Sequence, residues 1–265
     1  MKLGCCGAED RFDAIQQAGY DYIEPPVPVL RANMPETDFE PVRRYFQNAS
    51  IKPEAFNLFV PADLKITGES VDFHALTQHV ETVMERASEL GARIIVFGSG
   101  GARNVPDHFP RSRAFEQLGT FCAMIADQAH NRGITVVIEP LYSQKCNLIT
   151  SVAEGASLIR DVNQPGLALL ADLFHMETDK EPWQNLVDAV HLLHHIHVPV
   201  PSLDILISEG PAFSHHIFLK TLRNSGYDGR ISVEDNSRRF VHFESEAEPV
   251  GKYIRDLWQE IGSKS

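Results

Sequence analysis

Four side chains that could bind a metal ion stand at the ends of four successive apolar runs. They are Glu139 in VVIEPL, Asp172 in LLADLFHM, His197 in HIHV and Glu234 in ISVEDN. Three carboxylates that converge repel one another unless protons or a cation compensate them. Three oxygens and one imidazole nitrogen suit Mn²⁺, Mg²⁺ or Co²⁺ better than a thiolate-seeking ion, with Zn²⁺ also possible. The residues therefore predict a site for one divalent metal ion, provided that the fold brings them together.

The runs that carry these residues have the composition of buried β-strands. In TVVIEPL, Thr135, Val136, Val137 and Ile138 are β-branched, and Pro140 cannot continue a strand ladder. Similar runs recur along the chain and predict eight strands, near residues 2–6, 20–24, 51–57, 93–98, 134–139, 167–172, 194–198 and 230–234.

Helical stretches alternate with these strands. Apolar residues recur in steps of three and four over residues 76–90, 115–129 and 250–261, and Ser151 with Glu154 has the pattern of a capping box. Glycines that suit a left-handed conformation follow the helical stretches, at Gly19, Gly91, Gly133 and Gly166. Alternating strands and helices predict a parallel sheet, and eight such units predict a closed (β/α)8 TIM barrel, as a single domain over residues 1–265. A doubly wound open sheet is the alternative, but GCCGAED is a poor nucleotide-binding turn.

Alternation along the last four strands predicts which side chains point into the barrel. The apolar parity, which must face the helices, contains Val136, Ile138, Leu169, Ala171, Ile196, Val198, Ile231 and Val233. The other parity then points inward and ends at the four candidate ligands, at the end of the barrel where active sites form. His195 has the same parity but lies deeper, so we interpret it as a core histidine.

Each candidate alone is weak, because an acid at a strand end is usually a hydrogen-bond acceptor. The coincidence across four strands in register carries the prediction of a metal site. Glu24, in YDYIEPP, also ends a strand before a proline. Either it lines the pocket or it is a hydrogen-bonded acid at a strand end.

Composition excludes several classes of protein. The formal charge of −12, from 36 acidic and 24 basic residues, should repel nucleic acid. No apolar run is long enough to span a membrane, and the N-terminus reaches charge too soon for a secretion signal. The four cysteines, Cys5, Cys6, Cys122 and Cys146, form no CxxC motif and read as packing residues. A cytoplasmic protein is expected.

The four strand-end motifs, in this order, resemble those of the xylose-isomerase-like barrel family of sugar and sugar-phosphate isomerases and epimerases. The separations of 33, 25 and 37 residues are similar to those of its ketose 3-epimerase branch. The resemblance implies that Glu139 and Glu234 also act as an acid/base pair on opposite faces of the substrate. It implies that His175, in the DxxH of Asp172, holds a substrate oxygen, and that the chain forms a homodimer or homotetramer.

Two segments depart from that branch. HVPVPSLDI has no arginine after its histidine, and EPLYSQKCN carries Lys145 where the branch tends to have a glutamate. Lys145 is therefore a candidate substrate contact. Arg103, in FGSGGARNVP, is another candidate, since it could hold a phosphate or carboxylate. Arg238 and Arg239 read as a solvated pair.

These observations predict a metal-dependent isomerase or epimerase of a sugar or sugar phosphate. One glutamate would remove a proton beside the carbonyl, and a cation would stabilise the resulting enediolate. A dehydratase of a polyhydroxy keto compound begins in the same way and is the alternative. An apurinic-site endonuclease is a weaker one, because it needs several metals, more ligands and a basic face.

Overall fold

The computed structural model describes residues 1–201, 214–235, 240 and 242–263; Arg238 and Arg239 lie outside them. The described residues form one eight-stranded sheet whose neighbouring strands are all parallel, in the order β2-β1-β8-β7-β6-β5-β4-β3. The strands are β1 (Lys2–Cys6), β2 (Tyr22–Glu24), β3 (Ala55–Phe56), β4 (Ile94–Phe97), β5 (Thr135–Ile138), β6 (Leu167–Asp172), β7 (Leu193–Pro199) and β8 (Arg230–Glu234).

Two isolated bridges join the ends of this sheet. Ile23 pairs with Pro53, and Pro26 pairs with Asn57, so the segments around β2 and β3 lie side by side. The sheet is therefore a nearly closed barrel, and the predicted TIM barrel is confirmed. β2 begins two residues later than predicted and ends at Glu24 as predicted, whereas β3 covers only Ala55–Phe56 of the predicted residues 51–57. Pro53, within the predicted β3, lacks the N–H that a strand ladder needs.

Helices follow the strands as predicted. Ser151 caps one of them by accepting a hydrogen bond from the N–H of Glu154 at 3.1 Å, and all four predicted glycines have positive φ. The helices are α1 (Phe12–Gln17), α2 (Glu36–Asn48), α3 (Phe73–Glu89), α4 (Gly100–Arg103), α5 (Arg111–His130), α6 (Val152–Val162), α7 (Leu173–Thr178), α8 (Gln184–Ala189), α9 (His215–Asn224) and α10 (Phe243–Ser263).

The apolar core has two parts, as strand alternation predicts. The larger part lies between the sheet and the helices and contains all eight of the predicted outward residues, among them Val136 and Ile196. The smaller part fills the inside of the barrel and includes Tyr22, Val137 and Leu170. Side chains of inward parity at the strand ends therefore meet above this inner layer.

Cysteine pairing and membrane-spanning helices are both absent from the described residues. The four cysteines are free and buried, which agrees with their predicted role in packing. Within the described ranges, we find no helix with the length and apolar character needed to cross a membrane.

Candidate metal centre

The four predicted ligands converge at the carboxyl ends of β5 to β8. One ligand atom from each of Glu139, Asp172, His197 and Glu234 lies within 4.8 Å of the others. Asp172 and His197 are fully buried, whereas the side chains of Glu139 and Glu234 are 10% and 19% exposed. The cluster is therefore closed below and open on the side of the two glutamates.

Glu139 reaches the cluster because its neighbour on the next strand has no side chain. The N–H of Glu139 donates to the carbonyl of Phe97 at 3.2 Å, so the ladder between β4 and β5 continues to this residue. A β-carbon on Gly98 would lie 2.1 Å from Oε2 of Glu139. Gly98 thus leaves the space that the carboxylate occupies.

The two carboxylate oxygens of Asp172 have different roles: one caps a helix and the other faces the candidate ligands. Its Oδ1 accepts hydrogen bonds from the N–H groups of Phe174 at 2.6 Å and His175 at 3.3 Å, and so caps α7. Its Oδ2 faces Nδ1 of His197 at 3.9 Å. The strand-to-helix turn therefore fixes the direction of this carboxylate.

His197 presents Nδ1 to the carboxylates. This atom lies 3.0 Å from Oε2 of Glu234 and 3.3 Å from Oε1 of Glu139. Among the described residues, neither Nδ1 of His197 nor Oε2 of Glu234 has a hydrogen-bond partner, although both are buried. Buried groups with lone pairs that face one another in this way need a cation between them, either a proton or a metal ion. The donor set therefore fits a divalent metal ion.

The charges of the cluster shift its pKa values in the directions expected of a cation site. Burial, reinforced by Glu234 and Glu139, raises the pKa of Asp172 to about 7. Burial opposes a charge on His197, but Glu24 and Glu234 outweigh it and hold its pKa well above the usual range. Burial would raise the pKa of Glu234, but His197 lowers it below its ordinary value. The cluster thus holds protons at neutral pH that a metal ion would displace.

Two predicted substrate contacts border a cavity of about 610 Å³ that Glu139 and Glu234 also line. Nε2 of His175 lies 3.9 Å from Asp172 and 4.0 Å from Glu139, and its ring stacks on Tyr142. Lys145 is exposed at the same cavity. Both residues are therefore positioned to meet a molecule held above the cluster.

Comparison with known proteins identifies the family. The sequence model described as "Xylose isomerase-like TIM barrel" matches residues 12–257. The chain belongs to this xylose isomerase-like family.

Individual relatives match this chain only in part and at low sequence identity. A probable ketose 3-epimerase of Synechocystis sp. is 28% identical over 112 residues, which are 42% of this chain and 38% of the relative. The 3-dehydro-D-guloside 4-epimerase of Escherichia coli is 24% identical over 178 residues, 62% of this chain and 66% of the relative. The alignment thus spans well under half the length of the first of these relatives.

Similarity of fold extends over nearly the whole chain. The structure of D-psicose 3-epimerase with D-tagatose from Clostridium cellulolyticum H10 superposes with a TM-score of 0.82 at 15% identity, over 97% of this chain and 99% of that one. At this identity, the likeness establishes the fold alone.

Arg103 has a different position in this xylose isomerase-like barrel from the one that its sequence context suggests. Its side chain is fully buried and donates hydrogen bonds to the carbonyls of Phe97, Glu139 and Ile149, at 3.3, 2.8 and 3.4 Å. The guanidinium therefore ties the turn after β4 to the segment after β5. The prediction that Arg103 holds a substrate phosphate or carboxylate is corrected: the residue supports the backbone of the site.

A buried polar network lies beneath the four predicted ligands. Glu24, left open by the sequence, is fully buried and bonded to both His195 and His197. Ser232 also bonds to Glu24, at 2.6 Å, and sequence reasoning missed it. The available signal was its inward parity, two residues before Glu234 on β8.

Proposed function

We propose that this chain is a divalent-metal-dependent isomerase or epimerase that acts on a keto sugar or keto-sugar phosphate. The observation that carries the proposal is the convergence of Glu139, Asp172, His197 and Glu234 within 4.8 Å at a cavity. The epimerase activity named for the relatives of this chain supports the same reaction class. The metal would be Mn²⁺, Mg²⁺, Co²⁺ or Zn²⁺.

In this proposal, Glu139 and Glu234 exchange a proton with the carbon next to the substrate carbonyl. They approach the cluster from β5 and β8, and both line the cavity. The resemblance to the sugar epimerases implies that they lie on opposite faces of a substrate bound there. The pKa of Glu234 lies below its ordinary value, so this group is ionised at neutral pH. An ionised carboxylate is the form that accepts a proton. One carboxylate removes the proton, and the other returns one to the opposite face.

The ion, when bound, supplies a Lewis acid that polarises the substrate carbonyl. Glu139, Asp172, His197 and Glu234 would hold it. Asp172 is suited to this role because α7 already fixes one of its oxygens and leaves the other directed at the cluster. The chain thus supplies ligands whose directions are set before a metal arrives.

His175 and Lys145 are the proposed substrate contacts. The ring of His175 is fixed by its stacking on Tyr142, at a centroid distance of 5.4 Å. It can therefore hold a hydroxyl or carbonyl oxygen without reorganisation. Lys145 is exposed and can reach a hydroxyl or an anionic group at the cavity.

The direct test is exchange of carbon-bound hydrogen with solvent. We expect the metal-loaded protein to incorporate deuterium from D₂O beside the carbonyl of at least one keto sugar in a panel. Glu139→Gln and Glu234→Gln should each slow this exchange by about 10²–10⁴-fold. Glu69→Gln is the matched control, since Glu69 is an exposed glutamate that forms an ion pair with Arg113 at 3.7 Å. Metal-loaded protein that exchanges no substrate in the panel contradicts the proposal.

The products separate an isomerase or epimerase from the dehydratase alternative. A product of unchanged mass supports isomerisation or epimerisation, whereas a product lighter by one water identifies a dehydratase. Assembly into a homodimer or homotetramer and a cytoplasmic location stay predictions from the sequence.

A further inference from the structure

Glu24 is a buried carboxylate that the proposed reaction does not use. It accepts hydrogen bonds from Nε2 of His195 at 2.8 Å, from Nε2 of His197 at 2.9 Å and from Oγ of Ser232 at 2.6 Å. Tyr22 extends the network, with its hydroxyl 2.8 Å from Oγ of Ser232. All five side chains are 0% exposed.

When Glu24 is ionised, its contacts require a proton on Nε2 of His195 and on Nε2 of His197. An ionised carboxylate can only accept hydrogen bonds, so each nitrogen that faces it must carry a proton. A neutral imidazole has one protonated nitrogen and one lone pair. With its proton on Nε2, neutral His197 has its lone pair on Nδ1, the atom that lies 3.0 Å from Glu234 and 3.3 Å from Glu139.

We propose that Glu24 is a positioning residue that selects the tautomer of His197 and thereby prepares Nδ1 as a metal ligand. The inference rests on the proposed metal site and adds a residue from β2, a strand that contributes none of the four ligands. Glu24 accepts from His197 through Oε1, whereas His195 and Ser232 share Oε2. His195 and Ser232 therefore fix the orientation of the Glu24 carboxylate through Oε2, and Oε1 holds the ring of His197.

General chemistry of metal sites gives the expected size of the effect. A carboxylate bonded to the distal nitrogen of a histidine ligand orients the ring and makes it a stronger ligand, and its loss weakens metal binding by about 10–100-fold. A purely structural Glu24 would instead affect stability and leave metal affinity unchanged. Metal affinity and the tautomer of His197 therefore separate the two roles.

The test compares Mn²⁺ affinity in the wild type, Glu24→Met and Tyr22→Phe, measured from the electron paramagnetic resonance signal of free Mn²⁺. Met has a similar length but no oxygen, so we expect Glu24→Met to bind Mn²⁺ about 10–100-fold more weakly. Tyr22→Phe is the matched control, because Tyr22 is equally buried in the network but contacts Ser232 rather than His197. Its affinity should stay close to that of the wild type.

A second measurement uses the wild type alone and does not depend on the folding of a variant. In ¹⁵N-labelled protein loaded with Zn²⁺, which is diamagnetic, His197 should carry its proton on Nε2 and none on Nδ1. Equal Mn²⁺ affinity in Glu24→Met and wild type overturns the positioning role and leaves the proposed metal site unaffected. A proton on Nδ1 in the Zn²⁺-loaded protein overturns both the positioning role and the assignment of His197 as a ligand.

Metal stoichiometry distinguishes the remaining outcomes. Cys6, Glu24 and His197 also offer ligand atoms within 4.8 Å of one another. One Mn²⁺ per chain agrees with Glu24 acting through His197, whereas a second ion lost in Glu24→Met would make Glu24 a ligand itself and overturn the inference. A wild type that binds no Mn²⁺, Mg²⁺, Co²⁺ or Zn²⁺ would overturn both the inference and the proposed function.

Discussion

Nδ1 of His197 lies 3.0 Å from Oε2 of Glu234, and no residue of the described chain gives either atom a hydrogen bond. Glu139 and Asp172 add their carboxylates to the same space. Without a metal, protons must reduce the repulsion within this cluster. A bound metal ion would compensate the same charges and would be held by these four side chains. The stability of the protein should therefore depend on divalent metal.

We expect Mn²⁺ or Co²⁺ to raise the melting temperature and EDTA to lower it. An ion at about 100 times its Kd stabilises the folded state by ~2.7 kcal/mol, which for a chain of this size is roughly 5–10 °C. His197→Ala should remove the shift, whereas His194→Ala, on the same strand with an exposed side chain, should retain it. Differential scanning fluorimetry measures both, and equal shifts in the two variants would contradict the metal site.

Metal affinity should fall as the pH is lowered. The pKa of His197 is held well above its usual range and that of Asp172 is raised to about 7, so both groups hold protons below about pH 7. Binding needs neutral His197 and ionised Asp172, and each proton displaced weakens the apparent affinity by about tenfold per pH unit. Calorimetric titration between about pH 5.5 and about pH 8.5 tests this dependence. An affinity that is flat over this range, or greater in acid, would show that the titrating groups are not ligands.

Gly98→Ala should impair the site without unfolding the barrel. The new β-carbon would lie 2.1 Å from Oε2 of Glu139, and the end of that side chain can move away. Because a misplacement of about 1 Å can reduce the rate about 10²-fold, we expect a loss of this order in activity, with weaker Mn²⁺ binding. Gly119→Ala is the control, since a β-carbon on Gly119, within α5, meets nothing within 4 Å. Equal activities in the two variants would refute the steric argument.

His175→Asn should separate substrate binding from metal binding. Nε2 of His175 stays 3.9–4.0 Å from the carboxylates of Asp172 and Glu139, too far for a hydrogen bond. We expect kcat/KM to fall by about tenfold or more through loss of a substrate hydrogen bond, while Mn²⁺ affinity is retained. Steady-state kinetics beside a metal titration provides the comparison. A parallel loss of metal would instead identify His175 as a ligand.

Arg103→Met should destabilise the protein. Loss of the guanidinium removes its hydrogen bonds to the carbonyls of Phe97, Glu139 and Ile149 inside the protein. The carbonyls of Phe97 and Ile149 keep hydrogen bonds from the N–H groups of Glu139 and Leu141, so the carbonyl of Glu139 is the acceptor that loses its partner. A buried acceptor left unsatisfied costs about 1–3 kcal/mol, and we expect the free energy of unfolding to fall by this amount. Urea unfolding of this variant and of Arg44→Met, whose side chain is 70% exposed, gives the contrast. Unchanged stability with a raised KM would restore the assignment of Arg103 to substrate binding.

Strand alternation is the reason that the sequence predicts the four candidate ligands. On β5, Val136 and Ile138 face the helices, so Glu139, which follows Ile138, faces the inside of the barrel. On β7, Ile196 and Val198 face the helices, so His197 between them also faces inward. Backbone geometry imposes this relation within a strand. The prediction of the fold and of the convergence therefore needs no knowledge of loops.

In the loops beyond the strand ends, alternation no longer predicts the direction of a side chain. Ser99 has a left-handed backbone with φ of 41°, after which α4 directs Arg103 back into the protein. Nothing in FGSGGARNVP specifies that reversal, and a glycine-rich loop with an arginine is equally consistent with an anion site. Glu24 was ambiguous for another reason: its partners, His195 and His197, lie 171 and 173 residues away. Sequence spacing alone cannot show such pairs.

The contact between Glu24 and His197 also has a consequence for the order of folding. β2 and β7 are not neighbours in the sheet, so this hydrogen bond crosses the inside of the barrel and closes a loop of 173 residues. Such non-local contacts form after local ones, because a long loop must first be closed. A ribosome that has made only the first three quarters of the chain has not yet presented His197 and Glu234 together. Capture of the metal should therefore be among the last steps of folding and should report that the whole barrel has assembled.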